Sequence, residues 1–185
     1  WANSDIPKAL QVIQEIDTEV VRTAAGRVEE LDYLASQIEE TRAGGGRIFL
    51  SGCGATGRLS LTLEYLWRES YAPSGREDEV VAFMAGGDLA LVKAIEDFED
   101  HPEYGARQLR ELGFRQGDML IAITEGGETP FVIGTAEEAA KISGRTSFFL
   151  YCNPDDILRN SVERSRRILD DEGIAKINLT TGQQV

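Results

Sequence analysis

Apolar side chains follow two rhythms along this chain of 185 residues. Near the start they recur every three or four positions, at Leu10, Ile13, Ile16, Val20 and Val21, then at Val28, Leu31, Leu34, Ala35 and Ile38. That spacing puts them on one face of an α-helix. Asp5 and Pro7 suit a helix start near Pro7. The second stripe continues to about Thr41, and Gly44-Gly45-Gly46 ends it. Gly26 either separates two helices or kinks one.

From Arg47 onward the rhythm changes. Short, near-continuous apolar runs predict strands at Arg47 to Ser51, Glu79 to Met84, Asp118 to Thr124, Ser147 to Cys152 and Ala175 to Leu179. Helical spacing fills the gaps: Leu59 to Glu69, Leu89 to Phe98, Tyr104 to Leu112, Pro130 to Ile142, and Ile157 to Leu169. Strands apolar on both sides fit a parallel sheet covered on both faces. The alternation predicts an α/β fold, a doubly wound five-stranded parallel sheet preceded by N-terminal helices. Residues 1–43 are then a helical segment for packing or oligomerisation, and residues 44–185 the α/β domain. In such sheets ligands bind beyond the carboxyl ends of the strands, where the strand order reverses. The loops that follow the strands are therefore where chemistry is expected.

Charge narrows the ligands. The chain carries a formal net charge of −13, which disfavours nucleic acid and anionic membrane. An anionic ligand must be held by local donors against that field. Cys53 and Cys152 adjoin apolar runs, and His101 is the only histidine. No metal-ligand spacing exists, so no metal is expected. Reduced thiols and a cytoplasmic setting fit better than a structural disulfide. No run approaches about 20 apolar residues, so no membrane span is expected. Trp1 to Pro7 lacks a basic-then-apolar signal pattern.

The first strand runs into Gly52-Cys53-Gly54-Ala55-Thr56-Gly57-Arg58 and then a helical pattern. The glycines permit a sharp turn and close backbone approach, Thr56 adds a hydroxyl, and the helix dipole points its positive end at the same spot. That combination suits an anion, most simply a phosphate. The stretch matches the bare G-x-G-x-x-G spacing of a dinucleotide fingerprint, but the acidic residue expected at the end of the second strand is displaced to Asp88, beyond Gly86-Gly87. No Gly-Lys-Ser/Thr follows, so it is not a Walker loop. The second loop, Ala85 to Asp88, leads toward Glu96, Glu99 and Asp100, which would share one face of a helix. Crowded carboxylates suit proton transfer when their pKa is raised by like charges; the plainer meaning of such a cluster is a solvated face. The third loop, Thr124 to Pro130, repeats the strand–turn–helix outline, although Glu125 and Glu128 oppose direct phosphate contact there.

Together the pieces resemble one family. Gly44 to Arg47, Ser51 to Arg58, Ala85 to Asp88, Glu96 to Asp100, Thr129 to Gly134 and Asn153-Pro154 occur in its order and at similar spacing. It is the sugar isomerase (SIS) family, on the branch that holds N-acetylmuramic acid 6-phosphate etherase and the glucokinase regulatory protein. The resemblance implies a flavodoxin-like fold, a hexose or amino-sugar 6-phosphate ligand, no cofactor and a homodimer. It implies substrate-binding roles for Gly54, Ala55, Thr56, Gly57, Gly86, Thr124, Gly126 and Thr129. Glu99 matches one of two glutamates proposed for proton transfer in the etherase. There a base removes the proton next to the masked carbonyl, lactate leaves and water adds.

Departures accompany the resemblance. The other etherase glutamate falls on Leu66; Glu64 lies about 200° round the helix from it, and Glu69 is one turn on. Glu128 replaces an arginine of the family's third loop. The stretch Asp155 to Gly173 is longer than in the etherase and carries Arg159, Arg164, Arg166 and Arg167 among acids, which reads as a solvated helix. Gln184 falls where the family has a glutamate. Two functions follow from the resemblance, an etherase-type lyase or a non-catalytic phosphosugar sensor, with a Rossmann-type nucleotide binder the weakest reading.

Overall fold

The computed structural model describes residues 4–182. Gln184 lies outside these residues. Helix α1 (Ile6–Ala24) starts at Asp5, whose carboxylate accepts the Lys8 N–H at 3.1 Å. A 3-10 turn over Ala25–Arg27 separates it from α2 (Val28–Ala43), so Gly26 divides two helices. No α1 residue is buried. Helix α2, by contrast, packs Leu34 and Ile38 on the lower side of the sheet, where Tyr33 meets Phe148 at 5.6 Å between ring centroids.

The α/β part runs β1 (Ile48–Gly52), α3 (Gly54–Tyr71), β2 (Val80–Met84), α4 (Leu89–Val92), α5 (Pro102–Glu111), β3 (Met119–Ile123), α6 (Pro130–Ile142), β4 (Ser147–Tyr151), α7 (Asp155–Ser161), α8 (Glu163–Asp170) and β5 (Ile174–Asn178). All five strands are parallel, in the order β2-β1-β3-β4-β5. The chain winds one way from β1 to β2 and then returns to the other side for β3. The reversal therefore lies between β1 and β3. Apolar clusters cover both faces of the sheet, one around Phe49, Phe131 and Phe149 and the other around Leu50, Ile121 and Phe148.

At the amino ends of the strands, opposite the candidate loops, Asp118 fastens β1 to β3. Its wholly buried carboxylate accepts the backbone N–H of Arg47 at 2.9 Å, the backbone N–H of Arg115 at 3.1 Å, and the Arg47 guanidinium at 3.1 Å.

The five strands lie within one residue of their predicted bounds. Three helices differ. Helix α3 begins at Gly54 and not at Leu59, because Cys53 and Thr56 form a capping box that starts the helix inside the glycine turn. The expected helix Leu89 to Phe98 ends at Val92: Lys93 is extended, Asp97 takes a left-handed φ of 66°, and only a 3-10 turn follows at Phe98–Asp100. A continuous helix would stack Glu96, Glu99 and Asp100 along one face and pay their repulsion. The irregular path does not hold them on one helical face. The helix expected over Ile157 to Leu169 breaks at Val162, which is extended and divides α7 from α8.

Candidate functional site

The first loop closes on itself through backbone and hydroxyl groups. Thr56 Oγ1 accepts the Cys53 N–H at 3.1 Å and donates to the Cys53 carbonyl at 2.9 Å. The hydroxyl expected to donate to a ligand thus has a local acceptor in this structure. The three glycines also divide their work. Gly54 carries the turn, with φ of 54°. Gly52 and Gly57 serve close packing: a Cβ on Gly52 would lie 2.5 Å from the Gly57 nitrogen, and one on Gly57 would lie 2.5 Å from Met84 Cβ. Ala55 sits exposed on the first turn of α3.

The third loop brings a second helix N-terminus to the neighbouring strand end. Thr129 precedes α6 in extended conformation, and Pro130, without an N–H, takes the first helical position. Thr124 and Thr129 share one hydrogen bond between hydroxyls at 3.0 Å. One of the two hydroxyl protons is consumed there, which leaves the other for a third group. Asn153 donates to the Gly126 carbonyl at 3.0 Å, and the buried Ser165 hydroxyl donates to that of Gly127 at 2.8 Å. A side chain at Gly127 is disfavoured by its φ of 76° and by Leu158 Cδ1, which would lie 2.7 Å from a Cβ there.

On the other side of the first loop, at the end of β2, the second loop turns through Gly86 and Gly87, at φ of 80° and 60°. Its Ala85 N–H donates to the Gly52 carbonyl at 3.1 Å, tying it to the end of β1. Beyond it the chain delivers Glu99 to the first loop, where the Cys53 thiol donates to Glu99 Oε2 at 2.8 Å. Burial pushes the Cys53 thiol up to about 12, with further upward contributions from the hydrogen bond and charge of Glu99. Arg58, early in α3, lies near enough to oppose that shift.

Glu96 and Asp100, expected beside Glu99 on a helix, are exposed in the irregular segment. Leu66 is 54% exposed on α3. Glu64 is committed elsewhere: it accepts from Arg68 at 2.9 Å and from the Ala82 N–H at 2.8 Å. Glu69 is exposed.

A model of the glucokinase regulatory protein N-terminal SIS domain matches residues 28–141. The chain belongs to the SIS domain family. Among its relatives, an N-acetylmuramic acid 6-phosphate etherase of Aliivibrio fischeri is 35% identical over 146 residues, 79% of this chain and 48% of that protein. The enzyme of the same name from Rhodopirellula baltica is 34% identical over 163 residues, 85% of this chain and 52% of the other. The chain thus spans about half the length of the curated relatives it matches. In fold it is similar to phosphoheptose isomerases of Neisseria gonorrhoeae (TM-score 0.67, 16% identity, 96% of this chain and 86% of that one) and Francisella tularensis (TM-score 0.64, 15% identity, 98% and 88%).

Two features of this SIS domain were outside the reach of its sequence pattern. One is the Cys53–Glu99 contact, which joins residues far apart in the chain through an irregular segment. The other is Arg164, expected on a solvated helix. Its Nε donates to the Glu128 carbonyl at 2.5 Å, and its guanidinium approaches the Glu128 carboxylate at 3.8 Å. A cation therefore stands beside the Glu128 acid. Arg159 and Arg167 are also engaged, with Asp170 and Glu137. Cys53 and Cys152 form no disulfide. Among the described residues, no group of three or more His, Cys, Asp or Glu side chains gathers as a metal site, and no helix is long and apolar enough to cross a membrane.

Proposed function

We propose that this SIS domain binds a hexose or amino-sugar 6-phosphate, with the phosphate between the amino ends of α3 and α6. The observation that carries this reading is the meeting of two helix N-termini at adjacent strand ends, β1 and β3, where the sheet reverses order. Each end offers amides without helical partners and the positive end of a dipole. The Thr124–Thr129 hydroxyls add a proton, and Gly54, Ala55, Gly57, Gly86 and Gly126 keep the approaches narrow in side chain. The related etherases and the similarly folded phosphoheptose isomerases are named for sugar phosphates, which supports the class of ligand.

The finer reading is an etherase-type lyase of N-acetylmuramic acid 6-phosphate, with Glu99 moving the proton. Glu99 stands beside the first loop, within reach of a ligand held there. A second reading, a phosphosugar sensor without catalysis, is favoured by the exposed Leu66 at the position of the second glutamate and by the engagement of the Glu99 carboxylate with Cys53. The division into a helical segment, 1–43, and the α/β domain, 44–185, accompanies both readings. So does a homodimer, to which α1 would contribute Leu10 and Val21, 61% and 70% exposed.

The test uses Ala55→Glu. A carboxylate on the first turn of α3 stabilises the helix by about 0.3–1 kcal/mol and competes with a phosphate for the same dipole. Glucose 6-phosphate or N-acetylmuramic acid 6-phosphate at a hundred times its Kd stabilises the unaltered chain by about 2.7 kcal/mol. That is a rise of roughly 5–10 °C in Tm for a chain of this size. The rise disappears in Ala55→Glu. A rise that survives the substitution refutes the phosphate position. Lactate formed from N-acetylmuramic acid 6-phosphate and abolished by Glu99→Gln supports the lyase; binding without lactate supports the sensor.

A further inference from the structure

A cleft of about 530 Å³ opens on the far side of the second loop, lined by Gly87, Phe98, Tyr104, Arg107, Gln108 and Glu111. None of the first- or third-loop residues lines it. Tyr104, Arg107, Gln108 and Glu111 fall at i, i+3, i+4 and i+7 along α5, so they form one continuous face. The opposite face of α5 is buried through Gly105 and Leu109. It packs so tightly that a Cβ on Gly105 would lie 2.2 Å from the Phe131 carbonyl oxygen. One wall of the cleft is therefore rigid.

The aromatic part is set in advance. Tyr104 meets Phe98 with ring centroids 5.0 Å apart and tilted 46°, and His101 stacks on Tyr104 at 4.5 Å. Phe98 and Tyr104 are nevertheless 39% and 38% exposed. The polar part is neutral overall. Arg107 Nε donates to Glu111 Oε1 at 2.7 Å, which pairs the two charges and leaves further guanidinium N–H donors beside a second carboxylate oxygen. Gln108 adds a donor and an acceptor. Gly87 leaves the facing wall open, with nothing within 4 Å of the place a Cβ would take.

The volume falls in the range of small-molecule sites, and the lining sets two aromatic rings beside a polar face whose Arg107 and Glu111 side chains are largely exposed. The neutral ion pair favours neither an anion nor a cation. Paired donors and acceptors beside a ring face suit a molecule with a C–H face and many hydroxyls, because C–H groups lie favourably over the negative face of an aromatic ring. We propose that this cleft binds an uncharged monosaccharide ring, its C–H face on Phe98 and Tyr104 and its hydroxyls on Gln108 and the Arg107–Glu111 pair.

Saturation-transfer difference NMR with methyl α-glucopyranoside as the probe tests this. Saturation passes from the protein to the sugar ring protons, weakens at least tenfold in Tyr104→Ala, weakens also in Gln108→Ala, and is unchanged in Ala55→Glu. The Gln108 variant keeps the aromatic surface and stands in if Tyr104→Ala proves unfolded by circular dichroism. Absence of transfer from the unaltered chain overturns the proposal. So does transfer that is equal in the folded Tyr104 and Gln108 variants, and so does transfer lost in Ala55→Glu, which would assign the sugar to the helix N-termini.

Discussion

Gly57 separates two reasons for a glycine in the first loop. If it serves only the approach of an anion, alanine is harmless to the fold and even helpful, since glycine in a helix interior is about 1 kcal/mol less favourable than alanine. The structure argues the reverse sign. An alanine Cβ would lie 2.5 Å from Met84 Cβ, and Met84 is 2% exposed on β2. Neither Cβ can rotate away, because each is fixed to its backbone. Helix α3 must move off the sheet by roughly 1 Å to restore ordinary contact at about 3.5–4 Å. Overpacking of this kind costs about 1–3 kcal/mol, toward the upper end where side-chain rotation offers no relief. After the helix-propensity gain the net loss is about 2 kcal/mol, or roughly 4–8 °C in Tm for a chain of this length.

Urea unfolding of Gly57→Ala, alone and combined with changes at Met84, measures it. Met84→Gly removes the opposing Cβ and couples favourably with Gly57→Ala. Met84→Ala keeps that Cβ, so the two losses add. The decisive result is the comparison of the two cycles, since residues in contact depart from additivity and independent ones do not. An unchanged urea midpoint in Gly57→Ala, or equal coupling to both Met84 variants, refutes the packing argument and returns Gly57 to the ligand alone.

Asp118→Asn leaves at least one of the Arg47 and Arg115 N–H groups without its acceptor at a buried position and removes the charge facing the Arg47 guanidinium. It costs about 2–3 kcal/mol, read as a Tm lower by roughly 4–12 °C, with ligand response intact because the carboxylate lies at the other end of the strands; an unchanged Tm would sink it. Cys53 titrates near 9.0 when exposed and is pushed up to about 12 in the fold, so the folded chain keeps a proton that the unfolded chain loses above pH 9.0. Its contribution to stability is present below that pH and falls away as pH rises from 9.0 toward 12. In Glu99→Ala burial still raises the Cys53 pKa, but the thiol loses the acceptor and the charge that add to the rise, and its alkylation by iodoacetamide at pH 8 becomes faster; an equal rate with and without Glu99 would refute the contact.

How much of this was legible beforehand follows from how local each signal is. The strands announce themselves, because burial on both faces demands uninterrupted apolar runs such as Phe148-Phe149-Leu150. The start of α3 was hidden because cysteine is not among the usual N-cap residues and because a run of glycines reads as loop. Only the reciprocal bonds between Cys53 and Thr56 make it a helix start. The acidic segment misled in the other direction. Its helical spacing of Glu96, Glu99 and Asp100 is real, but tertiary partners override it: Phe98 packs on Tyr104, and Glu99 takes the Cys53 thiol. Arg164 looked solvated because its partner, the Glu128 carbonyl, is a backbone group of a distant loop. Sequence periodicity carries no sign of such an acceptor.

That irregular segment also explains how two chemically different surfaces come to adjoin. Asp97 is the only non-glycine with positive φ among the described residues, a conformation that disfavours most side chains and that Asp tolerates better than most. It persists because the residues on both sides are held: Ile95 lies against Gly86, and Phe98 and Glu99 are anchored as described. In a regular helix Phe98 and Glu99 would sit about 100° apart on one cylinder. The 3-10 turn after a left-handed residue instead sends Phe98 into the neutral cleft and Glu99 to the amino end of α3. Backbone strain at functional segments is usually maintained by surrounding contacts of this sort. Here those contacts are the approach of Ile95 to Gly86, one aromatic pair and one thiol–carboxylate bond, and the last two also aim the side chains that follow the turn.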